Sequence, residues 1–128
     1  IMGVQDIRLV SPANLSANTG TPNIKAYENL NEGLQGCDVI AALRIQTERF
    51  TNDEQLNKNH YFKNYGLQAD TVKNAKNDAI LIHPGPINRG TEIDSTTADG
   101  PLSKIKDQIR NGVPVRMALI EHLLHSNA

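Results

Sequence analysis

Two short stretches gather the residue types that hold and align small charged molecules. Residues 43–49 read Leu-Arg-Ile-Gln-Thr-Glu-Arg, and residues 83–90 read His-Pro-Gly-Pro-Ile-Asn-Arg-Gly. In the first, Arg44 offers a planar fork of donors that matches a carboxylate bidentately. Gln46 lies two residues on, so in extended chain it points to the same side. Glu48 is four residues from Arg44 and would brace its guanidinium if the chain turns helical between them. The plain alternative is a set of solvated charges flanking a strand. In the second stretch, Pro84 and Pro86 have no backbone N–H and stiffen the loop, and Gly85 between them lets carbonyls be held outward toward a ligand's N–H donors. A rigid turn leaving a strand explains the same tetrapeptide. His83 suits either acid–base work or a structural role, and Asn88-Arg89-Gly90 suits a turn carrying a second cation.

Other candidates carry less. His122 and His125 are spaced i, i+3, which metals can use, but two ligands near a frayed helix tip are few. The lone Cys37 has no second cysteine to form a CxxC pair and no evident activating base. Neither a GxGxxG nor a GxxxxGK[ST] fingerprint occurs, so the common nucleotide-binding signatures are missing. No cofactor is called for by these residues.

The elements that must position the two stretches follow from periodicity. Residues 6–10 alternate and stop at Ser11-Pro12, which predicts a short strand, followed by a loop rich in Asn, Ser, Thr, Gly and Pro. Residues 24–27 form a second strand and 28–34 a helix, with Gly36 as its stop. The apolar run 38–43 (DVIAAL) predicts a strand buried on both faces of a parallel sheet. Residues 52–65 are charged and Asn-rich and read as a helical excursion anchored by Leu56, Phe62 and Tyr65. A short helix is expected at 70–75, capped by Asp70, and a buried strand at 79–82 that runs straight into His83. A helix starting at Asp99-Gly100-Pro101, with Leu102, Ile105 and Ile109 on one face, should stop at Asn111-Gly112. Pro114 then opens a last helix to about Leu124, with Val115, Leu119 and Leu123 along its apolar face. Strand and helix alternate, so the class is α/β with a parallel sheet flanked by helices. Both stretches leave strands at their carboxyl ends, where open α/β sheets bind ligands.

Composition bounds the function further. The chain has 128 residues and a net charge of −1, which argues against a dedicated nucleic-acid binder or a polybasic lipid anchor. The longest apolar run, 39–43, is far too short to span a bilayer, and the start lacks the order of a signal peptide. A single cysteine excludes an internal disulfide, so a reducing cytoplasm is the expected setting. The opening Ile-Met-Gly-Val-Gln-Asp reads like the tail of a helix entering a strand, which suggests that an N-terminal part of a larger protein precedes it.

Together the two stretches resemble the second-domain motifs of aspartate carbamoyltransferase catalytic chains. Glu92-Ile93-Asp94, Ala98-Asp99-Gly100, the run Asn-Gly-Val-Pro-Val-Arg-Met-Ala at 111–118 and Tyr65-Gly66-Leu67 extend the match in consistent order from about residue 3 to 124. The family joins carbamoyl phosphate and L-aspartate to give N-carbamoyl-L-aspartate and phosphate, in pyrimidine biosynthesis. The resemblance implies that Arg44 and Gln46 bind aspartate, that Pro84 and Gly85 offer carbonyls to the carbamoyl amide with Pro86 shaping the loop, and that Glu48 and His83 support them. It also implies a homotrimer, with a regulatory chain or a dihydroorotase as further partner. Ornithine carbamoyltransferases typically carry His-Cys-Leu-Pro and a Ser-Met-Gly segment; Pro84-Gly85 fills the first here and the second is missing.

The departures from the family pattern are equally specific. Family chains are more than twice this long, and the Ser-Thr-Arg-Thr phosphate motif and the His-Pro-Thr-Gln segment of their first domain are absent. No catalytic residue is therefore assigned in this stretch, and it is expected to be inactive alone. Residues 1–112 are expected to form a partial aspartate-binding α/β domain whose first strand is missing from inside the sheet, leaving an unpaired edge. Residues 113–128 are expected to form a C-terminal helix that packs on the other domain. The alternative from another class is a non-catalytic module that assembles with a partner through that helix.

Overall fold

A computed structural model describes residues 3–15, 20–45 and 58–125. Strand β1 (Ile7–Val10) pairs in parallel with β2 (Ile24–Tyr27), with Ile7 opposite Ile24 and Val10 opposite Tyr27. Parallel neighbours need a crossover, and here it includes a 3-10 turn at Ala13–Leu15. Helix α1 (Leu30–Leu34) follows, and the Asn29 side chain caps it by accepting from the N–H groups of Asn31 and Glu32. Its far end is closed twice. Gly36 adopts the left-handed conformation, φ 63°, that ends a helix without steric penalty. The Arg8 guanidinium reaches from β1 to donate to the carbonyls of Gly33 and Gln35, placing a cation at the negative end of the helix.

Strand β3 (Val39–Ala41) pairs in parallel with β4 (Ile80–Ile82), Val39 opposite Ile80 and Ala41 opposite Ile82. Between them lie α2 (Lys58–Tyr65) and a 3-10 turn at Val72–Asn74. The far edge of β4 is also bonded: Leu81 donates to the Leu102 carbonyl and Lys104 donates to Leu81, each at 2.8 Å. Helix α3 (Ser95–Ala98) is capped by Asp94, and helix α4 (Ile105–His125) completes the described chain. The core gathers Leu30 and Leu34 of α1, Ile40 and Leu81 of the strands, and Leu67, Val72, Ile93 and Ile105 around them.

The α/β class and the parallel pairing are as expected, and the differences have physical reasons. Among the described residues the strands form two parallel pairs and not one sheet, so β1 and β3 each have one strand neighbour. The run at 38–43 is not buried on both faces: Ile40 is buried, but Val39 is 50% exposed because packing covers one side of the β3–β4 pair. The turn at 70–75 is not capped by Asp70, which pairs with Lys73, while the Thr71 hydroxyl bonds both the N–H and the carbonyl of Gln68. Helix α3 escaped the periodicity reading because four residues are too few to show a period.

The predicted break at Asn111-Gly112 does not occur, and α4 runs unbroken through Gly112 and Pro114. A glycine in a helix costs only about 1 kcal/mol, so it weakens a helix without ending it. Pro114 forgoes one hydrogen bond at a cost of about 3 kcal/mol. The start also moves. Leu102 lies in a turn beside β4, its carbonyl accepting from the Leu81 N–H, and not in the helix, so its i, i+3 spacing to Ile105 is not a helical one, and Ile109 is left exposed. No described helix is long and apolar enough to cross a membrane.

Candidate functional site

The register of β3 and β4 sets the site. With Ala41 opposite Ile82 in a parallel pair, both strands end at the same level, and Ala42 continues the ladder by donating to the Ile82 carbonyl at 2.9 Å. Two residues beyond Ala42 comes Arg44, half-buried; two residues beyond Ile82 comes Pro84. The two sequence stretches thus leave neighbouring strands side by side. A direct bond joins them, the Asn88 side chain donating to the Ile45 carbonyl at 3.3 Å. Gln46 and Glu48 lie outside the described residues, so the expected bracing of Arg44 by Glu48 does too.

The loop after β4 is built on His83, which is fully buried. Its backbone N–H donates to the Gln108 side-chain oxygen on α4 at 3.0 Å. Its Nδ1 accepts from the Gly85 N–H at 2.8 Å, folding the loop back over the ring. Gly85 holds φ 73°, which a residue with a Cβ adopts only under strain, and the Gly85–Pro86 peptide is cis. These facts fix the loop's chemistry. Pro84 and Pro86 have no N–H, and the Gly85 N–H is spent on His83. Three consecutive residues therefore present acceptors and no available backbone donor.

Below the loop lies Glu92, a carboxylate only 4% exposed. Its Oε1 accepts from the Asn88 N–H and sits 3.3 Å from His83 Nε2. That last distance brings the ring and the carboxylate together, but the pair does not form a hydrogen bond. Tyr61 of α2, stacked on Tyr65 at 5.3 Å, has its phenol pushed up to about 12 by burial first, then by the charge of Glu92 and by Tyr65. Farther out, Arg89 pairs with Asp99 at 2.9 Å, and the Asp99 carboxyl is held below the usual range by hydrogen bonds from Arg89 and Lys106.

Sequence reasoning named His83 but missed its partners. Gln108 is an ordinary helix residue by pattern, and nothing in its neighbourhood signals the bond to β4. Glu92 carried a signal only through the Glu92-Ile93-Asp94 match to the family motifs, which assigned it no partner. The weaker candidates stay weak. Burial pushes the Cys37 thiol up, which disfavours its reactive thiolate form. His122 and His125 are exposed on α4, and no group of three or more His, Cys, Asp or Glu that could hold a metal occurs among the described residues.

Comparison with known proteins gives this arrangement a family. Residues 3–123 match the domain family described as aspartate/ornithine carbamoyltransferase, Asp/Orn binding domain. The chain is 42% identical to the aspartate carbamoyltransferase catalytic subunit of Ruthia magnifica subsp. Calyptogena magnifica, over 98% of its own length and 40% of that relative's. It is 44% identical to the subunit of the same name from Legionella pneumophila (strain Paris), over 98% of its length and 42% of that relative's. It thus spans about two-fifths of these relatives. Among solved structures, the fold is similar to ornithine carbamoyltransferase from Burkholderia thailandensis E264, with a TM-score of 0.76 at 22% identity, covering 93% of this chain and 39% of that one. It is likewise similar to aspartate transcarbamoylase from Trypanosoma cruzi in complex with carbamoyl aspartate and phosphate, with a TM-score of 0.72 at 24% identity, covering 91% and 39%. The chain belongs to the aspartate/ornithine carbamoyltransferase family, as its Asp/Orn binding domain.

Proposed function

We propose that the protein carrying this domain transfers the carbamoyl group of carbamoyl phosphate to L-aspartate, with this chain supplying the aspartate-binding half. The observation that carries the reading is the pairing of Arg44 with the acceptor-only loop of Pro84, Gly85 and Pro86 across two adjacent strand ends. A carbamoyl group ends in an NH2 that needs acceptors, and aspartate brings carboxylates that need a cation. Arg44 then holds a carboxylate and Gln46 the same substrate, while Glu48 and His83 support their neighbours. The aspartate amine attacks the carbamoyl carbon, the bond to phosphate oxygen breaks, phosphate leaves, and the amine gives up a proton. Holding both reactants in line supplies much of the rate. The names of the relatives favour aspartate over ornithine, and an arginine suits an acidic amino acid better than a basic one.

Under this reading the reaction belongs to pyrimidine biosynthesis in the cytoplasm, and the protein works as a homotrimer, with a regulatory chain or a dihydroorotase as further partner. Residues 1–112 form the aspartate domain, and residues 113–128 pack on the carbamoyl-phosphate domain. The test is product formation by the intact protein with each amino acid in turn. Carbamoyl-aspartate with aspartate, and no citrulline with ornithine, is expected; the reverse would overturn the assignment. The exposed apolar side of α4 favours a second reading, a non-catalytic module assembling through that helix. An intact mass in the cell near the 14.0 kDa of this chain would support it.

A further inference from the structure

We propose that His83 is a positioning residue that works as the neutral Nε2–H tautomer, selected by Glu92, and that this tautomer sets the loop of Pro84, Gly85 and Pro86. The proposal rests on the carbamoyl role given to that loop above. Its core is a donor count. The Gly85 N–H is a permanent donor, and it lies 2.8 Å from Nδ1. Nδ1 must therefore present a lone pair. A neutral imidazole carries one N–H, so the proton sits on Nε2. Nε2 faces Glu92 Oε1 at 3.3 Å, and a carboxylate at that end of the ring favours the proton there.

The other two forms of the ring are incompatible with this loop. The Nδ1–H tautomer and the imidazolium both set N–H against N–H at Gly85, so the buried ring no longer offers that amide an acceptor. With the Gly85 N–H released, the loop would gain a donor where the carbamoyl NH2 needs acceptors. The ring is gripped from several sides. Gln108 of α4 holds the His83 N–H. Glu92, itself anchored by the Asn88 N–H, faces Nε2, and Tyr61 of α2, with its phenol pushed up to about 12, keeps its proton beside Glu92. Asn88 then passes the constraint to the Arg44 side through the Ile45 carbonyl. With Nδ1 committed to Gly85 and Nε2 turned to a buried carboxylate, neither nitrogen reaches a substrate. His83 is thereby a group that shapes the site and not the general acid–base catalyst that its position after a strand suggests.

Two substitutions in the intact protein separate the ring's two ends. In His83→Asn the side-chain oxygen can replace Nδ1 as acceptor for Gly85; His83→Gln keeps a polar group only near Nε2. His83→Gln should lower kcat about 10- to 100-fold, the usual effect of a misplaced site wall, with the carbamoyl phosphate KM raised and the aspartate KM little changed. His83→Asn should recover most of that loss. Equal losses in both, or a full-rate His83→Gln, would overturn the proposal. A second measurement needs no variant. Nitrogen NMR of isotope-labelled histidine in the unmodified protein at neutral pH should show His83 with a bare Nδ1 and a protonated Nε2. The opposite tautomer or an imidazolium would overturn it. If the unmodified protein makes no carbamoyl-aspartate, the functional reading falls, and the spectrum alone still decides the tautomer.

Discussion

Residues 79–98 and helix α4 use their side chains in opposite ways. In the first region polar groups are turned inward onto neighbours: His83 Nδ1 accepts from the Gly85 N–H, Glu92 Oε1 from Asn88 and Asp94 from the Thr97 N–H, while His83 Nε2 faces Glu92 without a hydrogen bond. Its apolar residues Leu81 and Ile93 are wholly buried. In α4 only Ile105 is buried, and Val113, Val115, Leu119 and Leu123 lie exposed along the helix. Burying a Val or Leu side chain is worth about 1.5–3 kcal/mol, so a helix that leaves this many in water gains little from its length. One region covers Leu81 and Ile93 with its own neighbours. The other has an apolar side that nothing in the described chain covers.

That contrast is open to attack by mutation in the intact protein. Leu81→Ala should cost about 2–5 kcal/mol of stability, read from the urea unfolding midpoint, because it empties a site with no exposure. A loss below about 1 kcal/mol would mean the first region is not the packed one. Arg44→Ala should lower kcat/KM for aspartate about 100-fold, near 2.8 kcal/mol, through the lost charged hydrogen bonds. An unchanged aspartate dependence removes Arg44 from the site. Leu119→Ala sharpens the comparison most. If α4 packs on the carbamoyl-phosphate domain, the change should cost about 2 kcal/mol; an effect within about 0.5 kcal/mol leaves the helix in water and ends that proposal.

The smallest effect lies at the rim between the regions. Arg89 first, then Lys106, hold the Asp99 carboxyl below its usual range. A carboxyl lowered by folding adds stability that is complete above its unfolded-state value and is lost as pH falls through the folded one. Arg89→Ala should therefore destabilise slightly at neutral pH, and its difference from the parent should shrink in acid. A difference that persists undiminished in strong acid would show that Arg89 acts by some other route. Salt should weaken it as well, since the pair is exposed.

How much of this was legible beforehand depended on range along the chain. Strands β1, β2 and β4 fell where alternation and apolar runs put them, because a strand's pattern is local. The end of helix α4 near Leu124 was legible, but its start and its continuity were not, since the Leu102 carbonyl bonds to β4 and the helix tolerates Gly112 and Pro114. Local patterns do not report such bonds. The site divides the same way. Arg44 and the prolines were visible as residue types with obvious chemistry. The partners of His83 were not, because Gln108 stands 25 residues away and Glu92 is one acid among 14 acidic residues.

By itself, the sequence determined the residue chemistry and the order of elements: a cation after one strand, a donor-poor loop after another, and motifs in consistent order along most of the chain. Both are properties of neighbours along the chain. Only the tertiary structure decided that the two strand ends lie side by side in register, that the last free N–H of the loop is spent on a buried imidazole, and that α4 keeps its apolar side exposed. Those facts depend on groups distant in sequence meeting at hydrogen-bond range, which no local pattern encodes.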